Sequence, residues 1–304
     1  MTGNLNSQRR TDLQSLPECL LPLIDRLHEE PVEIIEITTL TGESIDQRST
    51  WRLTFAAGHH LKARVLPAST QLGFLKRSLS ALPRDRFPKI IRSGAGAIIE
   101  QWFSGEPLTE HTGNAAILKE CGEVLGLIHR TPCSSKSGLQ NTVCYQHWFE
   151  SGLYQLLSHG IIELPLARSI HAFATPHRPE LTEYGITHRD FCPENLLIHN
   201  GLVCSIDNTL LAPRSFDEDL ARTWYRWDPS PADWRQILEG YQSARNLASF
   251  YRHLNFWCVY VLVKAIEARL QLGEEETARS ILTKLQHVID SPEQELSPLT
   301  TRVA

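Results

Sequence analysis

The sequence predicts an α+β protein in two parts, a small antiparallel sheet followed by a larger, mainly helical part. Three observations lead there. Runs rich in β-branched and aromatic residues occur at Val32 to Thr39 and Trp51 to Ala56, and the latter leads through Ala57-Gly58 into Leu61 to Leu66, as antiparallel strands do. After Gly105 the apolar residues recur at three- and four-residue spacing over long stretches, the period of an amphipathic helix. The chain has 304 residues, 41% of them hydrophobic, which is enough for a substantial core. Single cores stop growing at about 250 to 300 residues, so one large or two moderate domains are expected. The division is drawn at residues 1–103 and 104–304, with 1–10 expected to be disordered and 290–304 a loose tail.

Taken in order, a helix is expected from Asp12 to Glu29, with Leu13, Leu16, Leu20, Leu23, Ile24 and Leu27 on one side. The three strands follow, then a helix over Gln71 to Ala81 and strands at Lys89 to Ser93 and Ala97 to Phe103. Helical spacing holds over Asn114 to His129, Tyr145 to His159 and Leu164 to Phe173. Gly185 to His188 reads as a short strand. Leu196 to His199 and Leu202 to Ile206 flank Asn200-Gly201, the strongest short hairpin signal because both turn residues need positive φ. Helices fill most of Phe216 to Ile289.

Composition excludes several function classes. Lys and Arg number 30 against 35 Asp and Glu, a net charge of -5, so no general positive field invites nucleic acid. The longest uncharged apolar run, Phe256 to Val263, is ended by Lys264, whereas a membrane span needs roughly 20 such residues. No membrane insertion is expected. The N-terminus lacks the apolar region of a secretory signal, and the seven Cys include no C-x-x-C pair, against a disulfide framework or a zinc site. A cytoplasmic protein with reduced thiols is the expectation.

The chemistry concentrates in His188-Arg189-Asp190-Phe191-Cys192-Pro193-Glu194-Asn195, followed after the hairpin by Asp207. The pattern is H-x-D-x-x-x-x-N and then D. It suits phosphoryl transfer, in which charge spreads over phosphate oxygens and catalysis is mostly positioning and electrostatics. A carboxylate and an amide offer Mg²⁺ the hard oxygens it prefers, so Asn195 and Asp207 are the candidate metal ligands. Asp190 is the candidate group to accept a hydrogen bond from an attacking hydroxyl. Cys192 has no base partner, and no G-x-S-x-G elbow occurs.

Several segments together resemble the aminoglycoside phosphotransferase and choline kinase family, small-molecule kinases with a protein-kinase-like fold. Besides the loop, Ile98-Ile99-Glu100-Gln101-Trp102-Phe103-Ser104-Gly105-Glu106-Pro107-Leu108 is similar to the family's hinge, Leu118 to His129 to its first large-lobe helix, and Asp219-Leu220-Ala221 to its D-L-A segment. The resemblance spans about residues 30–265. It implies a bilobal fold, with a small antiparallel-sheet N-lobe and a larger helical C-lobe, and ATP or GTP with Mg²⁺ as cofactors. The nucleotide would be held by Glu100, Gln101 and Trp102 at the hinge and by Lys62 or Arg64 at the phosphates, while His188 and Asp219 would support the catalytic loop. Lys62 and Arg64, at i and i+2, share a strand face, and spacing does not choose between them.

The sequence also departs from the family. The expected phosphate-covering loop, Leu40 to Ser49, has one glycine and two acids. No Glu occurs between Val65 and Ile99, so the helix carboxylate that usually pairs with the phosphate lysine is missing; Asp85 is the only acid there, in a loop-like segment. These departures motivate a rival reading, a catalytically weak kinase-fold nucleotide-binding or regulatory protein. A protein kinase ranks lower, since Asp207-Asn208-Thr209 lacks the following Phe-Gly and no A-P-E segment occurs.

On the acceptor side, Trp224, Tyr225, Trp227, Trp234, Tyr241, Tyr251, Phe256 and Trp257 lie among Asp217, Glu218, Asp228, Asp233 and Glu239. Aromatic faces with carboxylates can bind an amine, but aromatics at helical spacing mostly fill cores. Residues 1–103 hold 13 basic and 11 acidic residues, and 104–304 hold 17 and 24. An acidic C-terminal part suits metal ions and a cationic small-molecule alcohol as the acceptor.

Overall fold

The computed structural model describes residues 9–10, 16–27, 34–41, 50–68, 70–111, 113–133 and 138–292. The chain forms two compact units, one of residues 1–106 with 198–210, the other of 107–197 with 211–304. The first takes in a return segment, 198–210, which lies beyond the expected boundary at residue 103.

The first unit is a six-stranded antiparallel sheet, order β1-β2-β3-β4-β6-β5. Its elements are β1 (Arg9–Arg10), α1 (Leu21–Asp25), β2 (Ile34–Thr41), β3 (Thr50–Phe55), β4 (His60–Val65), α2 (Leu72–Ser80), β5 (Ile90–Gly94) and β6 (Ala97–Gln101). Two expectations change here. Arg9 and Arg10, expected to be disordered, pair with Thr39 and Thr38. The helix expected over Asp12 to Glu29 amounts to five residues among those described, preceded by a turn. Pro22 has no N–H to give and is tolerated only in a first turn, so a helix cannot run through it from Leu16.

One sheet face is apolar. Trp51, Leu53, Phe55, Ala63, Ala97 and Ile99 pack with Leu16, Leu20, Leu23 and Ile24, all nearly inaccessible. Each such large side chain contributes about 1.5–3 kcal/mol. Because strand side chains alternate, the residues between them must face the other way. The ladder sets Arg52 opposite Lys62 and Lys62 opposite Glu100, with Arg64 opposite Thr50 and Ile98, so four charged side chains share the second face.

The second unit holds the remaining helices and one small sheet. Its elements, with those at its borders, are β7 (Glu106–Pro107), α3 (Ala115–Arg130), β8 (Gly138–Asn141), α4 (Val143–Ser158), α5 (Leu164–Ala174), β9 (Leu181–Thr187), β10 (Leu196–His199), β12 (Ala212–Ser215), α6 (Phe216–Trp227), α7 (Pro231–Gln242), α8 (Ala248–Arg252), α9 (Leu254–Gln271) and α10 (Glu275–Asp290), while β11 (Leu202–Ser205) lies in the return segment of the first unit. β10 and β11 form the expected hairpin, with Asn200 at φ 51° and Gly201 at φ 77°. β12 pairs with β9 and β9 with β8. Neither β8 nor β12 was expected; Ala-Pro-Arg-Ser carries no strand pattern, and its proline is tolerated because β12 is a sheet edge.

Ser215 caps α6 by accepting from Glu218 N, and Asp217, Glu218 and Asp219 occupy the first turn, where carboxylates complement the helix dipole. α9 is buried on most of its circumference, including all of Phe256 to Val263. Among the described residues no helix is long and apolar enough to cross a membrane. Trp224, Trp234, Tyr241, Phe256 and Trp257, weighed above as an acceptor surface, are core residues.

Candidate active site

In the first unit the site begins with β4. Ala63 points into the core, which turns Lys62 and Arg64 together to the opposite face. Arg64 grips Asp207 with both ends of its guanidinium, Nη1 to Oδ1 at 2.8 Å and Nη2 to Oδ2 at 3.0 Å. Lys62 Nζ donates to the Ile206 carbonyl at 2.8 Å and lies 3.4 Å from Glu100 Oε1, which is also 3.9 Å from Arg64 Nη1. The side chains of Lys62, Arg64 and Glu100 are 13%, 6% and 3% exposed, that of Asp207 34%. Asp207 is therefore the member of the quartet open to a ligand.

The segment carrying Asp207 is fastened within the same unit. Arg86 Nη1 donates to the Val203 carbonyl, Ser205 N donates to the Arg86 carbonyl, and Asn208 Nδ2 donates back to the Ser205 carbonyl. Thr209 Oγ1 donates to Asp207 Oδ1 at 2.9 Å. Burial alone would raise the Asp207 carboxyl, but Arg64 and then Lys62 outweigh it and hold it well below the usual carboxylate range. Burial lowers the Lys62 ammonium, with Glu100 pulling it back up.

These residues fit Mg²⁺. Oδ1 of Asp207 already accepts from Arg64 and Thr209, whereas Oδ2 accepts only from Arg64, leaving a lone pair for a hard cation. No group of three or more His, Cys, Asp or Glu side chains that could hold a metal occurs among the described residues. One or two protein oxygens with phosphates and water are what Mg²⁺ commonly takes.

Further along β6, Gln101 donates its backbone N–H to the Lys89 carbonyl at 2.9 Å. The half-buried Trp102 is flanked by the Arg52 guanidinium, 5.8 Å from its ring centroid, and by the His60 ring at 6.2 Å. Arg52 escaped the sequence reading; the register row Arg52, Lys62, Glu100 is its signal. The expected phosphate-covering loop falls, over residues 42–49, outside the described residues.

In the second unit the candidate catalytic loop follows β9 and is held by α6. Asp219 accepts the backbone N–H of His188 at 2.9 Å and of Arg189 at 2.8 Å. It also receives His129 Nε2 at 3.0 Å, while His129 Nδ1 meets the Tyr241 hydroxyl at 2.8 Å. Burial keeps His129 neutral, which suits Nε2–H donating to the carboxylate and Nδ1 accepting from the phenol. Burial would raise Asp219, yet these hydrogen bonds hold it below its ordinary value. Arg189 adopts φ 67°, left-handed backbone that a side chain disfavours by about 1–2 kcal/mol. The two bonds to Asp219 offset that strain and aim the next residue, Asp190.

Asp190 is gripped on both oxygens. Asn195 Nδ2 donates to its carbonyl at 2.8 Å and to Oδ2 at 3.1 Å, and Arg226 Nε lies 3.0 Å from Oδ1. With its NH₂ committed to Asp190, Asn195 keeps its amide oxygen for a cation. His188, itself buried, accepts the Asp190 N–H at Nδ1. Arg226 Nη2 reaches Cys192 Sγ at 3.3 Å and Trp227 Nε1 donates to the Phe191 carbonyl at 2.9 Å, so α6 binds five successive loop residues. Burial pushes the Cys192 thiol up to about 12, which removes it as a nucleophile. Arg226 was not foreseen. Its signal is a position seven residues after Asp219, two turns on along the same helix face.

Residues 43–253 match the family described as the phosphotransferase enzyme family (APH). No curated protein matches the sequence. Among solved structures, the fold is similar to an ethanolamine kinase of Plasmodium vivax, at 12% identity, covering 88% of this chain and 86% of that one, with TM-score 0.64. A macrolide 2'-phosphotransferase, MphH, from Brachybacterium faecium is 16% identical over 86% of this chain and 97% of its own, with TM-score 0.61. A thermostable mutant of aminoglycoside phosphotransferase APH(4)-Ia, in a ternary complex with AMP-PNP and hygromycin B, is 15% identical over 88% of this chain and 98% of its own, with TM-score 0.60. At these identities the likeness is one of fold.

Proposed function

We propose, on the premise that the chain belongs to the phosphotransferase enzyme family and is a small-molecule phosphotransferase, that it transfers the terminal phosphoryl group of Mg²⁺-ATP to a hydroxyl of an aminoglycoside, amino alcohol or sugar type of acceptor. The observation that carries this reading is the Asp190 carboxylate, fixed by Asn195 on one oxygen and Arg226 on the other, on a loop held by Asp219. Such a carboxylate can take the proton of an attacking hydroxyl at the moment the oxygen bonds to phosphorus. Asp207 Oδ2 in the first unit and the Asn195 amide oxygen in the second would each offer Mg²⁺ a hard oxygen, and bound Mg²⁺ would draw charge from the phosphate oxygens. Arg64, already beside Asp207, would lend its charge to the phosphates, and Trp102 offers a face to the base. Neighbours whose names give an ethanolamine, macrolide or aminoglycoside acceptor, one of them holding AMP-PNP, support the donor and acceptor classes.

One observation favours a second reading, nucleotide binding without transfer: Arg64 engages both oxygens of the candidate metal carboxylate. A single experiment separates them. With Mg²⁺-ATP, ADP release is followed over a panel of aminoglycosides, amino alcohols and sugars, for the wild type and Asp190→Asn. Transfer predicts turnover with at least one acceptor and a fall of about 10²–10⁴-fold in the variant, with calorimetric Mg²⁺-ATP affinity largely retained. Unchanged turnover in Asp190→Asn removes the mechanism; ATP binding with no turnover on any acceptor selects the second reading.

A further inference from the structure

We infer that Glu100 is the positioning residue of the phosphate site, holding Lys62 and Arg64 from the neighbouring strand in the role for which the chain carries no helix carboxylate. The inference rests on the reading that this unit binds nucleotide phosphates. α2, Leu-Gly-Phe-Leu-Lys-Arg-Ser-Leu-Ser, has no acid at all. Asp85, the only acid between Val65 and Ile99, lies in the loop whose backbone carbonyl receives Cys204 Sγ. Glu100 instead stands directly across the ladder from Lys62, a spacing that puts paired Cβ atoms about 5 Å apart.

Glu100 is also buried. Glu100 is 2% exposed, between Ile99, which is in the core, and Gln101. Desolvating a carboxylate is costly, and an apolar residue at this position would avoid that cost. Its Oε1 makes no hydrogen bond of good geometry, so what it gives the site is charge, shared between Lys62 at 3.4 Å and Arg64 at 3.9 Å. It drains part of the repulsion between two cations on one strand and leaves Arg64 directed at Asp207 and Lys62 at the Ile206 carbonyl. Because Lys62 and Glu100 sit on hydrogen-bonded strands of one sheet, the pair is made whenever the sheet is folded. No helix has to swing in to complete it, and the cations are preorganised for phosphate.

The test is a binding cycle with Mg²⁺-AMP-PNP by calorimetry on the wild type, Glu100→Gln, Lys62→Met and the double variant. Glu100→Gln is expected to weaken binding about tenfold and, in turnover, to raise KM for ATP more than it lowers kcat. In the double variant the two effects are expected to add to clearly less than their sum, because Glu100 acts through Lys62. Binding within about twofold of wild type in Glu100→Gln, or fully additive effects, overturns the inference. If Glu100→Gln does not fold, Lys62→Met is compared with Lys62→Met/Glu100→Leu, since matched apolar substitution of a buried pair is well tolerated; affinities within about twofold of each other uphold the inference, because Glu100 acts through Lys62, and a larger further loss in the double variant overturns it. A wild type that binds no nucleotide removes the underlying reading instead, which keeps the two failures distinct.

Discussion

Arg64 and Asp207, 143 residues apart in the chain, meet in a two-pronged ion pair with both N···O distances at or below 3.0 Å. Arginine forms this fork because its guanidinium is planar; a lysine in the same place would offer one point charge. The pair holds Asp207 ionised and oriented, and it leaves one lone pair of Oδ2 open.

Arg64→Ala is therefore expected to weaken Mg²⁺-nucleotide binding, and Arg64→Lys to weaken it less, because charge survives while the fork does not. Calorimetry on the three proteins gives the order. Tighter Mg²⁺-nucleotide binding in Arg64→Ala would mean that the arginine competes with the metal instead of assisting it.

Arg226→Ala frees one oxygen of Asp190 and is expected to lower kcat by about 10–100-fold, the scale on which misplacing a catalytic group is felt. Arg226→Lys should recover part of the loss. The readout is kcat at saturating ATP, and a kcat equal to wild type in the alanine variant would show that Asn195 alone sets the carboxylate.

Asp217 predicts a pH dependence of stability. It is buried, accepts from the Ser249 hydroxyl at 2.8 Å, and burial raises its carboxyl to about 6. The folded state thus binds this proton more tightly than the unfolded chain, whose carboxyl titrates near 3.9. Its stabilising contribution is present below about pH 4 and is lost as pH rises towards 6, by roughly 3 kcal/mol. Asp217→Asn should flatten urea-unfolding stability between pH 4 and 6 relative to wild type and raise it at pH 7. A steeper profile in the variant would contradict the assignment.

The close approach of α3 and α7 depends on two glycines. A Cβ on Gly240 would lie 1.8 Å from the Lys119 carbonyl oxygen, and one on Gly122 would lie 1.9 Å from that of Ile237. Both obstacles are backbone, so the helices must part. Gly240→Ala is expected to destabilise by about 3 kcal/mol or more, which urea denaturation measures. A loss under about 1 kcal/mol would show that the helices separate freely.

Much of the fold was legible because its signals are local. The change from period two to period three or four falls where the sheet gives way to helices, and Asn200-Gly201 adopts the positive φ values its hairpin needs. The first helix was read too long because six leucine and isoleucine positions outweighed two prolines, Pro17 and Pro22, although a missing N–H in mid-helix is decisive. β12 was missed because its strand state comes from pairing with β9 and not from its own residues. Trp234 and Trp257 carried no mark in the sequence to tell a packed ring from a binding one; burial decided it.

The sequence by itself determined the type and order of most elements and the loop from His188 to Asn195, whose chemistry is compressed into eight consecutive residues. Only the tertiary structure decided the partners: Arg64 with Asp207, Lys62 with Glu100, Arg226 with Asp190, and His129 with Asp219. The reason is physical. Backbone propensity acts over a few residues, whereas an ion pair needs strand register and helix rotation, and those are set by which apolar faces bury against each other. The carboxylate missing from α2 is the clearest case. Its counterpart was in the chain at Glu100, but only the ladder between β4 and β6 puts it opposite Lys62.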